Sequence, residues 1–149
     1  MIPPKKILYP INLDSKKIII LNRIFIIAKK LGASVDILYI NDEQAGYRHP
    51  HKTEVDVKTA VAGLAKLHLL ENVAVSYHVA KGNLGVTIEN YCKQNEIDLI
   101  ITGHKHHNRL YTAFFDTPEE SIIDSVSVPV MVIPKNVAEN ESTITEIDL

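Results

Sequence analysis

A chain of 149 residues can bury about two thirds of its unfolded surface around one core, and it leaves no room for a second domain of ordinary size. Hydrophobic residues at 46% and charged residues at 23% exclude compositional extremes. A formal net charge of -2 gives no strong attraction for nucleic acid or for an anionic membrane. The single cysteine, Cys92, can form neither an internal disulfide nor a thiolate metal cage, which fits a reducing compartment and a packing role. Met1-Ile2-Pro3-Pro4-Lys5-Lys6-Ile7 shows no signal-peptide core, so a cytoplasmic location is expected. The longest apolar stretch, residues 18–28, is interrupted by Asn22 and Arg23 and falls short of the roughly 20 residues a membrane span needs, so none is expected.

In chain order, residues 7–11 read as a short apolar strand containing Pro10, and residues 12–15 supply the turn and cap residues that open a helix. Residues 15–31 place Ile18, Leu21, Phe25, Ala28 and Leu31 on one helical face, with Gly32 at the expected C-terminal cap. A second strand is predicted over residues 35–40 and a polar loop over 41–52. Thr53 and Asp56 form an approximate capping box, after which Val57, Val61, Leu64, Leu67 and His68 recur at helical spacing through Leu70. Residues 73–79 alternate as a third strand. Gly82-Asn83 opens a helix with Val86, Ile88, Tyr91 and Cys92 on its apolar side, closed by Asn95.

A fourth strand over residues 97–102 ends at Gly103, and a histidine-rich loop follows. Thr117-Pro118-Glu119-Glu120 starts a last helix, and residues 128–133 make a fifth strand whose Pro129 suits its beginning or a sheet edge. The predicted domain therefore spans residues 1–134, and 135–149 form a polar, acidic tail. Strands alternating with helices predict an α/β fold, an open five-stranded parallel sheet with helices on both faces.

In such sheets ligands sit beyond the carboxyl ends of the strands, which directs attention to residues 10–15, 40–42, 79–83 and 103–117. Lys6-Ile7-Leu8-Tyr9-Pro10-Ile11-Asn12, Ala28-Lys29-Lys30-Leu31-Gly32-Ala33, Asp98-Leu99-Ile100-Ile101-Thr102-Gly103 and Val128-Pro129-Val130-Met131-Val132-Ile133 follow one another in the order and spacing of a known family. The chain resembles the universal stress proteins over residues 6–134. The resemblance implies a Rossmann-like sheet of the adenine nucleotide alpha hydrolase type, a homodimer built on the last strand, residues 128–133, and a role in stress adaptation without a defined turnover.

Nucleotide-binding members of that family carry a glycine, two residues, a second glycine, nine residues, then a glycine followed by Ser or Thr. Here the matching positions hold Gly103, His106, Asp116 and Thr117, so two of the three glycines are replaced. Glycine lets backbone approach a phosphate closely, and His106 adds bulk there. An Asp116 carboxylate about 4 Å from a phosphate charge repels it by roughly 1 kcal/mol in water and about 4 kcal/mol at an effective dielectric of 20. Pro118 lacks the amide that a phosphate at a helix start would seek. Asn12 stands where nucleotide-binding relatives have an acid. The family-matched cleft positions are thus Pro10, Asn12, Ile40, Gly103, His106, Asp116 and Thr117.

Competing readings are plain. Thr117 as N-cap, Pro118 at N1 and Glu120 at N3 make a self-sufficient helix start that needs no ligand. His104, His106 and His107, with Asp116 or with His49 and His51, could ligate zinc, but the spacing matches no zinc signature and no metal is expected. Lys105 and Arg109 make a small basic patch followed by Tyr111, Phe114 and Phe115, which suits an ordinary wet surface or a partner-binding lid better than RNA. There is no Gly-x-Ser-x-Gly elbow, Walker loop or Cys/His nucleophile pair, so neither an enzyme nor a cofactor is expected. Two readings remain open: a homodimer acting through protein partners or a small ligand with ATP binding lost, and a regulator that still accepts ATP, AMP or a cyclic nucleotide.

Overall fold

The computed structural model describes residues 3–11, 20–41, 52–104 and 128–134. The described strands are β1 (Lys6–Pro10), β2 (Ser34–Asn41), β3 (Val75–Lys81), β4 (Leu99–His104) and β5 (Val130–Pro134). They form one sheet in the order β3-β2-β1-β4-β5, and each adjacent pair is parallel. The helices are α1 (Leu21–Leu31), α2 (Glu54–Leu64), α3 (Leu67–Leu70) and α4 (Leu84–Gln94). The beginning of the helix expected over 15–31, up to residue 19, the start of the helix expected at Thr117, and the tail 135–149 lie outside the described residues.

Alternation along each strand sends side chains to two cores. Ile7, Tyr9, Val35, Ile37, Leu99 and Ile101 face α1, α2 and α3, where they meet Ile24, Phe25, Val57, Val61 and Leu69. Leu8, Leu38, Ile40 and Ile100 face the other way and meet Ile88 and Cys92 of α4. Both faces of the sheet are covered, which explains strands that read as continuous apolar runs. Burial pushes the Cys92 thiol up to about 11, consistent with a packing residue and not a thiolate nucleophile.

The caps follow the sequence closely. Gly32 is left-handed at φ 66°, its N–H donates to Lys29 O, and the Ala33 N–H donates to Ala28 O, the paired bonds of a Schellman motif. Thr53 and Asp56 form a full capping box on α2. Asn83 caps α4 by accepting from the Val86 N–H at 3.2 Å. Pro129 directly precedes β5, which is an edge strand.

Two sequence expectations need correction. The helix predicted through Leu70 breaks after Leu64: Ala65 is extended, and the Lys66 N–H leaves the helical ladder to donate to Asn22 Oδ1 on α1 at 2.8 Å. The break turns the chain so that α3 buries Leu69, while Leu64, Leu67 and His68 are exposed. Val86 is also exposed, because Gly85, Ile88 and Cys92 already define the face of α4 that meets the sheet, and Val86 is rotated from it by about 100°.

Among the described residues one charged side chain is buried within the sheet. Asp36 of β2, only 4% exposed, accepts from Ser76 Oγ on β3 and from the Tyr91 hydroxyl on α4, each at 2.8 Å, and Lys6 Nζ of β1 lies 3.7 Å away. Desolvation, then the bond to Asp36, holds the Tyr91 hydroxyl well above its usual range and keeps it a donor. The His78 ring packs obliquely on Tyr91, 5.6 Å between centroids. A buried charge survives only with partners, and here they come from two strands and a helix at once. Tyr91→Phe should therefore cost about 2 kcal/mol of unfolding free energy, the range for a bond to a charged acceptor. A double-mutant cycle with Asp36→Ala in urea should return a coupling of roughly 1 kcal/mol or more, and additive losses would show the contact to be unimportant.

Candidate functional site

The site is set by the point where the sheet changes direction. From β1 the chain winds to β2 and β3 on one side, and β4 and β5 lie on the other, so β1 and β4 flank the switch point where open α/β sheets receive ligands. The ladder between these two strands is short. It contains only the pairs Ile7↔Leu99 and Leu8↔Ile100, whereas β1 pairs with β2 as far as Pro10↔Leu38.

Proline chemistry accounts for the difference. In a parallel strand successive amides point to opposite neighbours. The Ile11 N–H donates to Leu38 O on β2, and Lys6 O accepts from Asp98 N–H on the β4 side, so the nitrogen of residue 10 faces β4. Pro10 has no hydrogen there, so the bond that an amide at this position would donate to β4 cannot form. The described ladder between the two strands therefore ends at Leu8↔Ile100, short of their carboxyl ends, where a ligand crevice is expected in such sheets.

Of the expected cleft residues, Pro10, Ile40 and Gly103 fall within the described structure, and all three lie at the carboxyl end of the sheet. Pro10 and Gly103 stand on the two strands flanking the crevice. Ile40 lies on β2, 6% exposed, in the core against α4. Asn12, His106, Asp116 and Thr117 lie outside the described residues, as do the other members of the histidine grouping apart from the β4 residue His104. Among the described residues no three His, Cys, Asp or Glu side chains gather in a way that could hold a metal ion.

Residues that the sequence did not single out complete the surroundings. A Cβ placed on Gly103 would meet Ile20 Cδ1 at 3.2 Å, with Ile20 Cγ2 at 3.7 Å and Cγ1 at 3.8 Å. The bare Cα of Gly103 thus admits the first turn of α1, where Ile20 O accepts from Ile24 N–H. Ile20 offers no side-chain cap to that turn. On β2, Asn41 grips the backbone of Lys52 from both sides: Nδ2 donates to Lys52 O at 3.2 Å, and Oδ1 accepts from Lys52 N–H at 3.1 Å. This clamp fixes where the connection after β2 returns to start α2. Composition hints at such a clamp only in that asparagine ends the strand.

Thr102 is the most telling of these. Its side chain is fully buried beside Gly103, and its hydroxyl has no hydrogen-bond partner among the described residues. Burying an unpaired hydroxyl is unfavourable, so a group at this position either awaits a partner or costs stability. Among the described residues at this end of the sheet, Pro10, Ile11, Ile20 and Ile40 are buried and uncharged. Thr102→Val keeps the shape and removes the orphan, so it should raise unfolding free energy by about 1 kcal/mol in chemical denaturation. A loss of similar size would show that the hydroxyl is already satisfied.

Comparison with known proteins fits this architecture. The sequence profile of the universal stress protein family matches residues 3–134. Universal stress protein UspA from Lactobacillus plantarum superposes with a TM-score of 0.57 at 21% identity, covering 87% of this chain and 97% of that one. A universal stress protein in complex with cAMP gives 0.61 at 10% identity, covering 89% and 98%. A family member from Arabidopsis thaliana with AMP bound gives 0.55 at 15% identity, covering 91% and 95%. At these identities the structures speak for the fold. Comparison with curated proteins gave no match. With nearly nine tenths of its length matched by one profile and the same five-stranded parallel sheet, the chain belongs to the universal stress protein family.

Proposed function

We propose that this chain is a non-enzymatic stress-adaptation protein, a homodimer whose ATP cradle is degenerate and which acts through a protein partner or a small ligand other than ATP. The observation that carries the reading is the pair Asp116 and Pro118 at the phosphate-gripping positions. One places an anion where a phosphate would bind, and the other removes an amide donor. The described residues at this end of the sheet support it, since Pro10, Ile11, Ile20 and Ile40 carry no countercharge for a triphosphate. The family match ending at residue 134 supports a domain of residues 1–134 followed by the tail 135–149. Among the described residues no helix is long and apolar enough to cross a membrane, which accords with the cytoplasmic location proposed here.

The alternative, a regulator that binds AMP, ATP or a cyclic nucleotide, is favoured by the two solved relatives that hold cAMP and AMP. Calorimetry with ATP and magnesium, AMP and cyclic AMP decides between them. The wild-type chain should give no heat of binding with ATP, and Asp116→Gly/Pro118→Val should gain at least about tenfold in affinity, because one repulsion disappears and one donor returns. Measurable ATP binding by the wild-type chain, unimproved in the variant, would overturn the reading.

The proposed dimer uses β5. Pairing of Ile100 with Val130, in which Ile100 N–H donates to Pro129 O, turns the amides of Val130 and Val132 away from β4 at the open edge. Met131 on the same strand is 39% exposed. Val132→Pro removes an outward amide and leaves the β4 ladder intact. Light scattering after size exclusion should show a dimer for the wild-type chain and a folded monomer for this variant. An unchanged dimer would place the interface elsewhere.

A further inference from the structure

The edge of the sheet opposite β5 is formed by β3. Val35 N–H donates to Ala74 O and Gly82 N–H to Asn41 O, so the even-numbered residues of this strand bond to β2, and the amides and carbonyls of Val75, Tyr77 and Val79 point outward. None of these outward groups has a hydrogen-bond partner among the described residues. Exposed edges are normally blunted by a proline, a bulge or a lysine, yet β3 keeps an unbroken register with β2 and holds its lysine only at the last position, Lys81. Its two sides differ in chemistry. Val75, Tyr77 and Val79 pack partly on the core that α1 and α2 cover, whereas Ser76 bonds to Asp36 and His78 packs on Tyr91 on the α4 side.

We infer that this edge is a docking site for residues 143–149 of the same chain, which lie outside the described residues and would pair with β3 as an added antiparallel strand. Thr143-Ile144-Thr145-Glu146-Ile147-Asp148-Leu149 is rich in β-branched residues and alternates, with Thr145, Ile147 and Leu149 at one parity and Glu146 and Asp148 at the other. Each adjacent pair of strands is parallel, so a chain leaving β5 at Pro134 reaches β3 at its Lys81 end and must run back along it. The register that sets Ile147 opposite Tyr77 also sets Leu149 opposite Val75 and Thr145 opposite Val79, on the apolar side. Glu146 then falls opposite His78, whose imidazole N–H it can accept, and Asp148 falls opposite Ser76. A slip of one residue would put the two acids against Tyr77 and Val75 instead.

The length of the connection allows this pairing. From β5 to the open side of β3 is five strand spacings, about 24 Å. Residues 135–142, extended between Pro134 and Thr143, span about 30 Å. A second copy of β3 is the other strand that could pair here, but Val75–Lys81 holds no Asp or Glu to meet His78, whereas the tail brings Glu146 to it. Nothing in this pairing depends on whether the carboxyl end of the sheet accepts a nucleotide.

Amide hydrogen exchange of the full chain, followed residue by residue by NMR, tests the assignment. In this register the Ile147 amide donates to Tyr77 O and the Asp148 amide faces away, so Ile147→Pro breaks the pairing and Asp148→Pro spares it. The Tyr77 and Val79 amides should exchange at least about tenfold more slowly in the wild-type protein than in Ile147→Pro, and dilution should leave their rates unchanged. Asp148→Pro should keep most of that protection. The Ile100 amide, which donates to Pro129 O, should stay protected in every variant and reports an intact sheet. Equal rates at Tyr77 and Val79 in the wild-type protein and Ile147→Pro would overturn the inference. Protection that disappears on dilution would give the edge to a second copy and overturn it as well.

Discussion

At the end of β1 the chain places a proline where the sheet would use an amide to hold β4. The described ladder between these strands stops at Leu8↔Ile100, at the switch point of the topology where open α/β sheets receive ligands. Gly103 on the opposite bank then admits α1 more closely than any residue with a Cβ would. Backbone chemistry alone thus shapes this end of the sheet, before any side chain with a charge or a proton to give is considered.

The other end of the sheet is organised differently. Asp36 draws Ser76, Tyr91 and Lys6 around one buried carboxylate, tying β1, β2, β3 and α4 together. A register slip of one residue between β2 and β3 would send Asp36 to the apolar face against α1 and strand its charge. One end of the sheet is therefore fixed by a polar network, while the β1–β4 ladder stops short of the other. That division suits a binding module, in which a rigid frame presents an adaptable opening.

Most of the frame was legible in the residues because the local signals agree with one another. Gly32 after a long apolar stripe, Thr53 with Asp56, and Asn83 before α4 each mark a helix boundary by a mechanism, and each cap forms. Periodicity failed where tertiary contacts override it. Leu64 and Leu67 continue a helical pattern, yet the Lys66 amide prefers Asn22 on α1, a partner 44 residues away that no local window contains. Asp36 was invisible for the same reason, since its three partners lie on other elements. Pro10 and Gly103 could be named as cleft residues from order and spacing. What proline does there, and that Ile20 covers the glycine, depends on strand pairing and on helix placement.

The account stands on the claim that this crevice does not grip a triphosphate. Native mass spectrometry of the protein, purified from cells without added nucleotide and sprayed from a volatile buffer, reads that claim in one step. The polypeptide mass should be found alone, with no adduct matching ATP and none appearing after incubation with millimolar ATP and magnesium. A stoichiometric ATP adduct that survives buffer exchange would contradict it.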